Sequence, residues 1–162
     1  MENNIERKRI NYSYIVIPLI TLAVIVINWF FKRLGLAWYN TLSLPFLMPS
    51  SRTISVFWWL VYIPTTIAAF LVWNTFKRNF RFWVIIFFFA INVVLNILWN
   101  YLFFYQHLIG VAFIESISLT FSILVLILFI QPVALYTALL LYPYLIWASF
   151  VTYLNYMVWL IN

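Results

Sequence analysis

Apolar residues are gathered into five long runs, separated by shorter stretches that hold charges, prolines or amides. Each run is at least about 20 residues long, and about 20 residues of α-helix cross the hydrocarbon core of a bilayer. The pattern therefore predicts an all-α fold, a compact antiparallel bundle of transmembrane helices. These helices are expected at about residues 12–33, 53–76, 82–105, 109–130 and 133–160.

The longest connection inside the chain, residues 34–52, differs from the other three, which are very short. Gly35, Pro45 and Pro49 are helix breakers, but the leucines and aromatic residues around them are too apolar for a free loop. We expect this segment to pack onto the bundle as a lid. In the fifth run, Pro143 is expected to bend the helix.

The high share of hydrophobic residues and the low share of charged residues indicate an integral membrane protein. Hydrophobic residues make up 67% of the chain and charged residues 7%, against about 25% charged in ordinary soluble domains. A length of 162 residues suits one domain. We therefore expect a multi-pass integral membrane protein with a single transmembrane domain over residues 1–162.

The net charge of +6 does not indicate a nucleic-acid-binding surface. All nine Lys and Arg lie before residue 82, in short clusters that flank the apolar runs, as topogenic charges do. Six of these basic residues lie on the side of the predicted bundle that holds the N-terminus, and three lie on the other side. Because basic residues are more frequent on the cytoplasmic side, this favours an N-terminus on the inner side of the membrane. The larger set is Arg7, Lys8, Arg9, Lys77, Arg78 and Arg81, and the smaller is Lys32, Arg33 and Arg52.

The third run carries amides where hydrocarbon is expected. Helical spacing puts Asn92, Asn96, Trp99 and Phe103 on one face. An amide in hydrocarbon needs a hydrogen-bond partner, so this face is expected to point at protein or at a polar cavity. Two interpretations are open: amides that join helices to each other, or a ligand pocket with aromatic walls and amide handles.

Several blocks of residues, in order from about residue 36 to 156, resemble the tryptophan-rich sensory protein family. This family is also called TspO, the translocator protein or the peripheral benzodiazepine receptor. The blocks are Trp38-Tyr39-x-x-Leu42-x-x-Pro45-x-x-x-Pro49, Trp58 with Tyr62, Asn96-x-x-Trp99, Pro143-Tyr144-x-x-Trp147, and Leu154-Asn155.

The resemblance implies a five-helix bundle, commonly a homodimer, whose pocket opens under the loop after the first helix. It implies a receptor or transport protein for porphyrins such as protoporphyrin and haem, for sterols in animal members, or for benzodiazepine-like drugs, with no required cofactor. Two alternatives are a light-dependent porphyrin-degrading enzyme and a stress-related membrane scaffold. No basic residue follows Arg81, so the weak sterol motif, a Tyr followed by Lys or Arg, is missing.

The candidate ligand-binding residues combine the family positions with the two aromatic helix faces; no catalytic or metal-binding residue is assigned. They are Trp38, Tyr39, Pro49, Trp58, Tyr62, Asn92, Asn96, Trp99, Phe103, Tyr144, Trp147, Val151 and Leu154. The other tryptophans, Trp29, Trp59, Trp73, Trp83 and Trp159, are expected to form the aromatic belt at the membrane surfaces.

This chain departs from the family pattern in the lid and beside the pocket. Leu44, Leu47 and Ser50 stand where Lys, Trp and Pro are frequent, so the lid is expected to seal by different contacts. Val151 replaces a smaller residue, which is expected to narrow the pocket.

Other residues have two open interpretations. Glu115 lies within the fourth run, where a charge is costly, and is either functional or a neutral or amide-paired structural residue. His107 could couple to Glu115 or lie in solvent. Ala112, Ser116 and Thr120 form a smooth strip that serves packing inside the bundle or contact between protomers. With one His and no Cys, a multi-ligand metal site is not expected, and haem would need unconventional ligation.

Overall fold

The computed structural model describes residues 12–162. The predicted basic cluster Arg7, Lys8 and Arg9 lies outside the described residues. Within them every regular element is a helix, and five helical segments are long and apolar enough to cross a membrane. The predicted all-α five-span architecture is confirmed. The elements are α1 (Ser13–Tyr39), α2 (Ser51–Thr75), α3 (Phe80–Asn100) with a π-helical turn (Tyr101–Tyr105), α4 (Ile109–Ile130), α5 (Leu135–Leu139) and α6 (Tyr142–Ile161).

Helix α4 lies at the centre of the bundle, in contact with both α3 and α6. Its side chains Ile123, Leu126 and Ile130 are almost completely buried. The outer faces of the other helices expose aliphatic and aromatic side chains, as expected of surfaces that face lipid. Four of the five tryptophans expected in the aromatic belt are also exposed, whereas Trp73 packs on Phe82 and lies beneath the guanidinium of Arg78.

Helices α1 and α2 run antiparallel and are joined by a ladder of polar pairs. The polar residues of α1 recur every seven or eight positions, which keeps them on one helix face. Hydrogen bonds between helices have no competing water in hydrocarbon, so each pair fixes the register of the two helices. The pairs are Ser13–Asn74 at 3.0 Å, Thr21–Thr66 at 2.8 Å and Asn28–Tyr62 at 3.0 Å.

Helix α1 is longer than predicted, and the lid is correspondingly shorter. The helix continues to Tyr39 and α2 begins at Ser51, so the connection is residues 40–50 rather than 34–52. Gly35 was interpreted as a helix breaker, but it is buried inside α1. A Cβ at this position would lie 2.1 Å from the backbone oxygen of Phe104, so the glycine permits close contact between α1 and the π-helical turn.

Gly35→Ala is expected to lower the free energy of unfolding by more than about 2 kcal/mol, because backbone atoms block the added methyl group and cannot move aside alone. Gly110→Ala is the matched control. Its Cβ would meet the side chain of Trp159, which is 49% exposed and can move more easily than backbone, so a smaller loss is expected. Thermal unfolding in one detergent measures both; equal losses would contradict the assigned role of Gly35.

The fifth span is broken rather than bent. Helix α5 ends at Leu139 and α6 begins at Tyr142. Pro143 therefore occupies the first turn of α6, where its missing N–H leaves no helical hydrogen bond unsatisfied. The predicted bend at Pro143 is thus a helix start, which orients α6 independently of α5.

The strip Ala112, Ser116 and Thr120 packs inside the bundle, against α6. Ala112 and Ser116 are buried. Thr152 of α6 donates to the backbone oxygen of Ser116 at 3.1 Å, and its hydroxyl lies 3.1 Å from that of Thr120. Of the two interpretations of this strip, the structure therefore supports helix packing within one chain.

Candidate functional site

A cavity of about 140 Å³ lies among α1, α2, α6 and the end of α3 with its π-helical turn, beneath residues 40–50. Its walls are mostly apolar and aromatic, with a few polar groups at fixed positions, which is typical of small-molecule sites. The residues that line it are Lys32, Leu36, Tyr39, Asn40, Met48, Ile54, Trp58, Trp99, Asn100, Phe103, Phe104, Trp147, Val151, Leu154, Asn155 and Val158.

Three indoles from three different helices line this cavity. Trp58 and Trp147 meet edge to face with ring centroids 6.5 Å apart, and Phe57 stacks on Trp147 at 4.5 Å. Trp99 stacks on Phe103 at 5.3 Å. Such contacts hold each ring in one orientation and so present fixed aromatic surfaces to a ligand.

Two of the indoles offer free hydrogen-bond donors. The Nε1 atoms of Trp99 and Trp147 are buried, and no atom of residues 12–162 accepts a hydrogen bond from either. A buried donor without an acceptor costs free energy. A ligand with suitably placed oxygen or nitrogen atoms would remove this cost, because both indoles line the cavity.

Two amides, Asn100 and Asn155, supply acceptors to the same cavity. Asn100 donates to the backbone oxygen of Asn96 at 3.0 Å, and Asn155 to that of Val151 at 2.9 Å. These bonds to the preceding helical turn fix the two side chains. Their carbonyl oxygens receive no donor from the described residues, so they can accept hydrogen bonds from a ligand.

Lys32 is the only cation in the lining, and it is half-buried. Glu115 is the only acid from residue 12 to residue 162, and it forms no ion pair with Lys32 there. A partly desolvated ammonium attracts an opposite charge strongly. The cavity can therefore recognise an anionic group on its ligand.

Residues 40–50 cover the cavity as a lid, and two points hold this lid in place. Leu42 and Met48 pack against the cluster formed by Phe103, Phe104, Ala112 and Val158. At the second point, Ser43 donates its backbone N–H to Asn162 Oδ1 at 2.9 Å, and Asn162 Nδ2 donates to the Ser43 backbone oxygen at 3.0 Å.

The departures from the family pattern in the lid have clear structural outcomes. Leu44 and Leu47 are exposed and do not line the cavity. Ser50 is the N-cap of α2, where its hydroxyl accepts from the Thr53 N–H at 3.2 Å. Leu42 and Met48, rather than the substituted positions, supply the apolar contacts of the lid.

The candidate residues fall into three groups. The first group lines the cavity: Tyr39, Trp58, Trp99, Phe103, Trp147, Val151 and Leu154. The second forms hydrogen bonds between helices beside the cavity: Tyr62, Asn92, Asn96 and Tyr144. In the third, Trp38 stacks on His107 at 4.1 Å, and Pro49 is half-buried immediately before the Ser50 cap. His107 is exposed.

Asn96 is the centre of a buried network that joins α1, α2, α3 and α6. Its Oδ1 accepts from Asn28 Nδ2 at 2.5 Å and from the Tyr62 hydroxyl at 3.3 Å, and its Nδ2 donates to the Tyr144 hydroxyl at 3.1 Å. One helical turn earlier, Asn92 donates to Ser122 at 2.9 Å. For Asn92 and Asn96 the structure therefore supports the interpretation that the amides join helices, while Trp99 and Phe103 of the same face line the cavity. Whether that cavity is a ligand pocket stays a prediction.

Sequence reasoning missed Asn28 and Lys32. Asn28 is a single amide within the first apolar run, and the argument applied to Asn92 would have identified it. Lys32 was interpreted as a topogenic charge, and no sequence signal distinguishes such a charge from one that lines a pocket.

Glu115 is buried, and both its carboxyl oxygens lack a hydrogen-bond partner within the part of the chain that the structure describes. The amide-paired interpretation of Glu115 is therefore wrong. From residue 12 onwards, no group of three His, Cys, Asp or Glu could hold a metal ion.

A model of the TspO/MBR family matches residues 14–160. The chain belongs to the TspO/MBR family. It is 25% identical to the "Tryptophan-rich protein TspO" of Bacillus cereus, over 93% of this chain and 97% of that protein. It is 30% identical to the "Tryptophan-rich protein TspO" of Archaeoglobus fulgidus, over 77% of this chain and 80% of that protein.

A third relative, "Protein CrtK" of Rhodobacter capsulatus, is 28% identical over 78% of this chain and 79% of that protein. Membership of the TspO/MBR family, together with five helical segments that can span a bilayer, supports a sensory or transport protein integral to a membrane.

Proposed function

We propose that this protein is a membrane receptor that binds a planar aromatic ligand with acidic substituents, of which protoporphyrin is the type, in the cavity beneath the lid. The observation that carries the proposal is the pair of buried indole N–H groups on Trp99 and Trp147, two residues that line this cavity. Neither N–H has an acceptor among residues 12–162. They lie in walls that are otherwise aromatic, so the site is suited to a flat ring system that carries hydrogen-bond acceptors.

The aromatic walls favour a flat ligand over a flexible chain. Trp58, Trp99 and Trp147 come from different helices, and rings in contact with each indole fix its orientation. A planar ligand stacks on such rings without loss of conformational entropy of its own. The pyrrole nitrogens of a porphyrin point to the centre of its ring, so its carboxylate oxygens are the acceptors that the indole N–H groups would meet.

Lys32 favours a ligand with a carboxylate. An ammonium at the edge of a low-dielectric cavity forms a strong, charge-assisted hydrogen bond with a carboxylate. The propionate groups of protoporphyrin extend from one edge of its flat ring. With the ring between the indoles, a propionate at the cavity edge would meet Lys32.

Binding of so large a ligand requires the lid to move. The cavity volume of about 140 Å³ is below the range of about 300–1,000 Å³ usual for ligand sites. The lid is held by two exposed hydrogen bonds between Ser43 and Asn162 and by the packing of Leu42 and Met48. Exposed hydrogen bonds exchange readily with water, so displacement of the lid is the step that enlarges the site.

The experiment compares protoporphyrin with its dimethyl ester, which keeps the flat ring but lacks the negative charges. Lys32→Gln is expected to weaken protoporphyrin binding about tenfold or more, the value of one charge-assisted hydrogen bond. The same variant should bind the dimethyl ester as the unmodified protein does. Titration followed by the absorbance of the porphyrin measures both affinities.

Arg33→Gln is the matched control. Arg33 is the next residue and also a cation, but it is exposed, and its guanidinium lies 5.2 Å from the Trp29 ring. This variant should bind both porphyrins normally. Equal loss in the two variants would indicate a general surface charge effect and would contradict the role given to Lys32. Absence of saturable binding of either porphyrin to the unmodified protein would contradict the proposed function itself.

A further inference from the structure

A second candidate site lies at the opposite end of the bundle, away from the lid. A surface depression of about 340 Å³ is formed where α2 ends, α3 begins and the chain passes from α4 to α5. It is lined by Thr75, Phe76, Lys77, Asn79, Arg81 and the pair 133–134. We infer that this depression binds the phosphate headgroup of an anionic phospholipid.

Charge is the first observation that supports a headgroup site. Lys77 and Arg81 both line the depression and are exposed. Glu115, the only acid from residue 12 to residue 162, is buried in α4 at about 22 Å along the helix from its Ile130 end. The two cations therefore have no carboxylate partner in the described part of the chain.

The sequence before residue 12 carries no net negative charge. Ser13 bonds to Asn74, which places the start of α1 beside the end of α2. Residues 1–11 contain two acids and three bases, so by sequence they add positive charge. The net charge of residues 1–11 therefore has the same sign as the cations that the structure describes at this face.

The third cation of the turn is already used by the fold, which leaves Lys77 and Arg81 as the available pair. Arg78 donates to the Trp73 backbone oxygen at 2.8 Å, and its guanidinium lies 4.4 Å from the Trp73 ring and 4.0 Å from that of Phe82. Arg78 thus covers the core at the end of α2. The other two basic side chains are not held in this way.

Depth is the second observation. The depression lies at the ends of four predicted spans, at the level where phospholipid headgroups are found. Phe80 is 83% exposed and Trp83 57% exposed on the adjoining turn, as expected of aromatic anchors at the membrane surface. Phe76, Val133 and Ala134 supply apolar walls that suit the glycerol and first acyl carbons of a lipid. Basic pockets between helices at this level typically hold anionic headgroups.

The test uses the full-length protein in mild detergent and two short-chain lipids, phosphatidylglycerol and phosphatidylcholine, with binding counted by native mass spectrometry. The unmodified protein is expected to bind phosphatidylglycerol at least about tenfold more tightly. Lys77→Gln with Arg81→Gln should reduce phosphatidylglycerol affinity by about 25-fold, about fivefold for each cation, and leave phosphatidylcholine affinity unchanged.

The matched control, Arg33→Gln with Arg52→Gln, removes two exposed cations from the lid end of the bundle. It should still bind phosphatidylglycerol more tightly than phosphatidylcholine. Thermal unfolding shows whether each double variant is folded. If the double variant of Lys77 and Arg81 fails to fold, Lys77→Gln alone replaces it. Its affinity for phosphatidylglycerol should be about fivefold lower. No preference in the unmodified protein, the same loss in the control pair, or displacement of the lipid by millimolar inorganic phosphate alone would overturn the inference. These outcomes are independent of porphyrin binding.

Discussion

Replacing Trp99 with alanine is expected to weaken protoporphyrin binding about 30-fold. The substitution removes an aromatic wall of the cavity, a stacking contact of about 0.5–1.5 kcal/mol and a hydrogen bond from Nε1 of similar value. Binding should be followed by the absorbance of the porphyrin, because the variant changes the tryptophan fluorescence of the protein itself.

Trp83→Ala is the control for this variant. Trp83 is 57% exposed on the outer face of α3 and is remote from the cavity lining. Its removal should leave porphyrin affinity within about twofold of the unmodified value. Trp99→Phe separates the two contributions, since it keeps an aromatic wall and removes the N–H; an intermediate loss is expected. Unchanged affinity in both Trp99 variants would show that the ligand binds elsewhere.

Asn96→Leu is expected to lower the free energy of unfolding by about 2–4 kcal/mol. Hydrogen bonds between membrane helices are worth about 0.6–1.7 kcal/mol each, and Asn96 makes such bonds with Asn28, Tyr62 and Tyr144. The substitution also removes the donor to the Tyr144 hydroxyl in a dry interior, whereas the amide of Asn28 keeps its bond to Tyr62. Thermal or denaturant unfolding in detergent measures the loss.

Asn92→Leu makes the same change one turn earlier on the same helix. Asn92 donates one interhelical hydrogen bond, to Ser122. Asn92→Leu should therefore lower the free energy of unfolding by about a third as much as Asn96→Leu does. If the two variants are equally stable, the network around Asn96 does not hold the bundle together. Loss of porphyrin affinity in Asn96→Leu beyond the loss of stability would instead show that Asn96 reaches the ligand.

The architecture could be predicted from the sequence because membrane spans have a simple physical signature. A span must satisfy its own backbone and present apolar side chains for about 20 residues, and local composition reports both requirements. The boundaries were less predictable. Gly35 lies inside α1 because α1 approaches the Phe104 carbonyl closely, a tertiary contact that local sequence does not reveal.

The candidate site was predictable in type but not in detail. The amide face of α3 indicated polar contacts in hydrocarbon, but only the packed bundle shows Asn92 and Asn96 bonded to other helices and Trp99 directed at a cavity. Lys32 illustrates the remaining difficulty, since a basic residue after an apolar run has the same local sequence whether it contacts headgroups or lines a pocket.

A flat ligand in the cavity beneath the lid would be excluded by a larger side chain at position 151. A titration of Val151→Phe with protoporphyrin therefore shows whether this cavity is the binding site. Val151 lines this cavity and the small void beside it, and its side chain is half-buried. The added ring fills space that the ligand needs without removing any of the indoles, Lys32 or the amides. We predict that saturable binding is lost by about 100-fold or more while the thermal unfolding temperature is retained. Unchanged affinity in this folded variant would contradict the account.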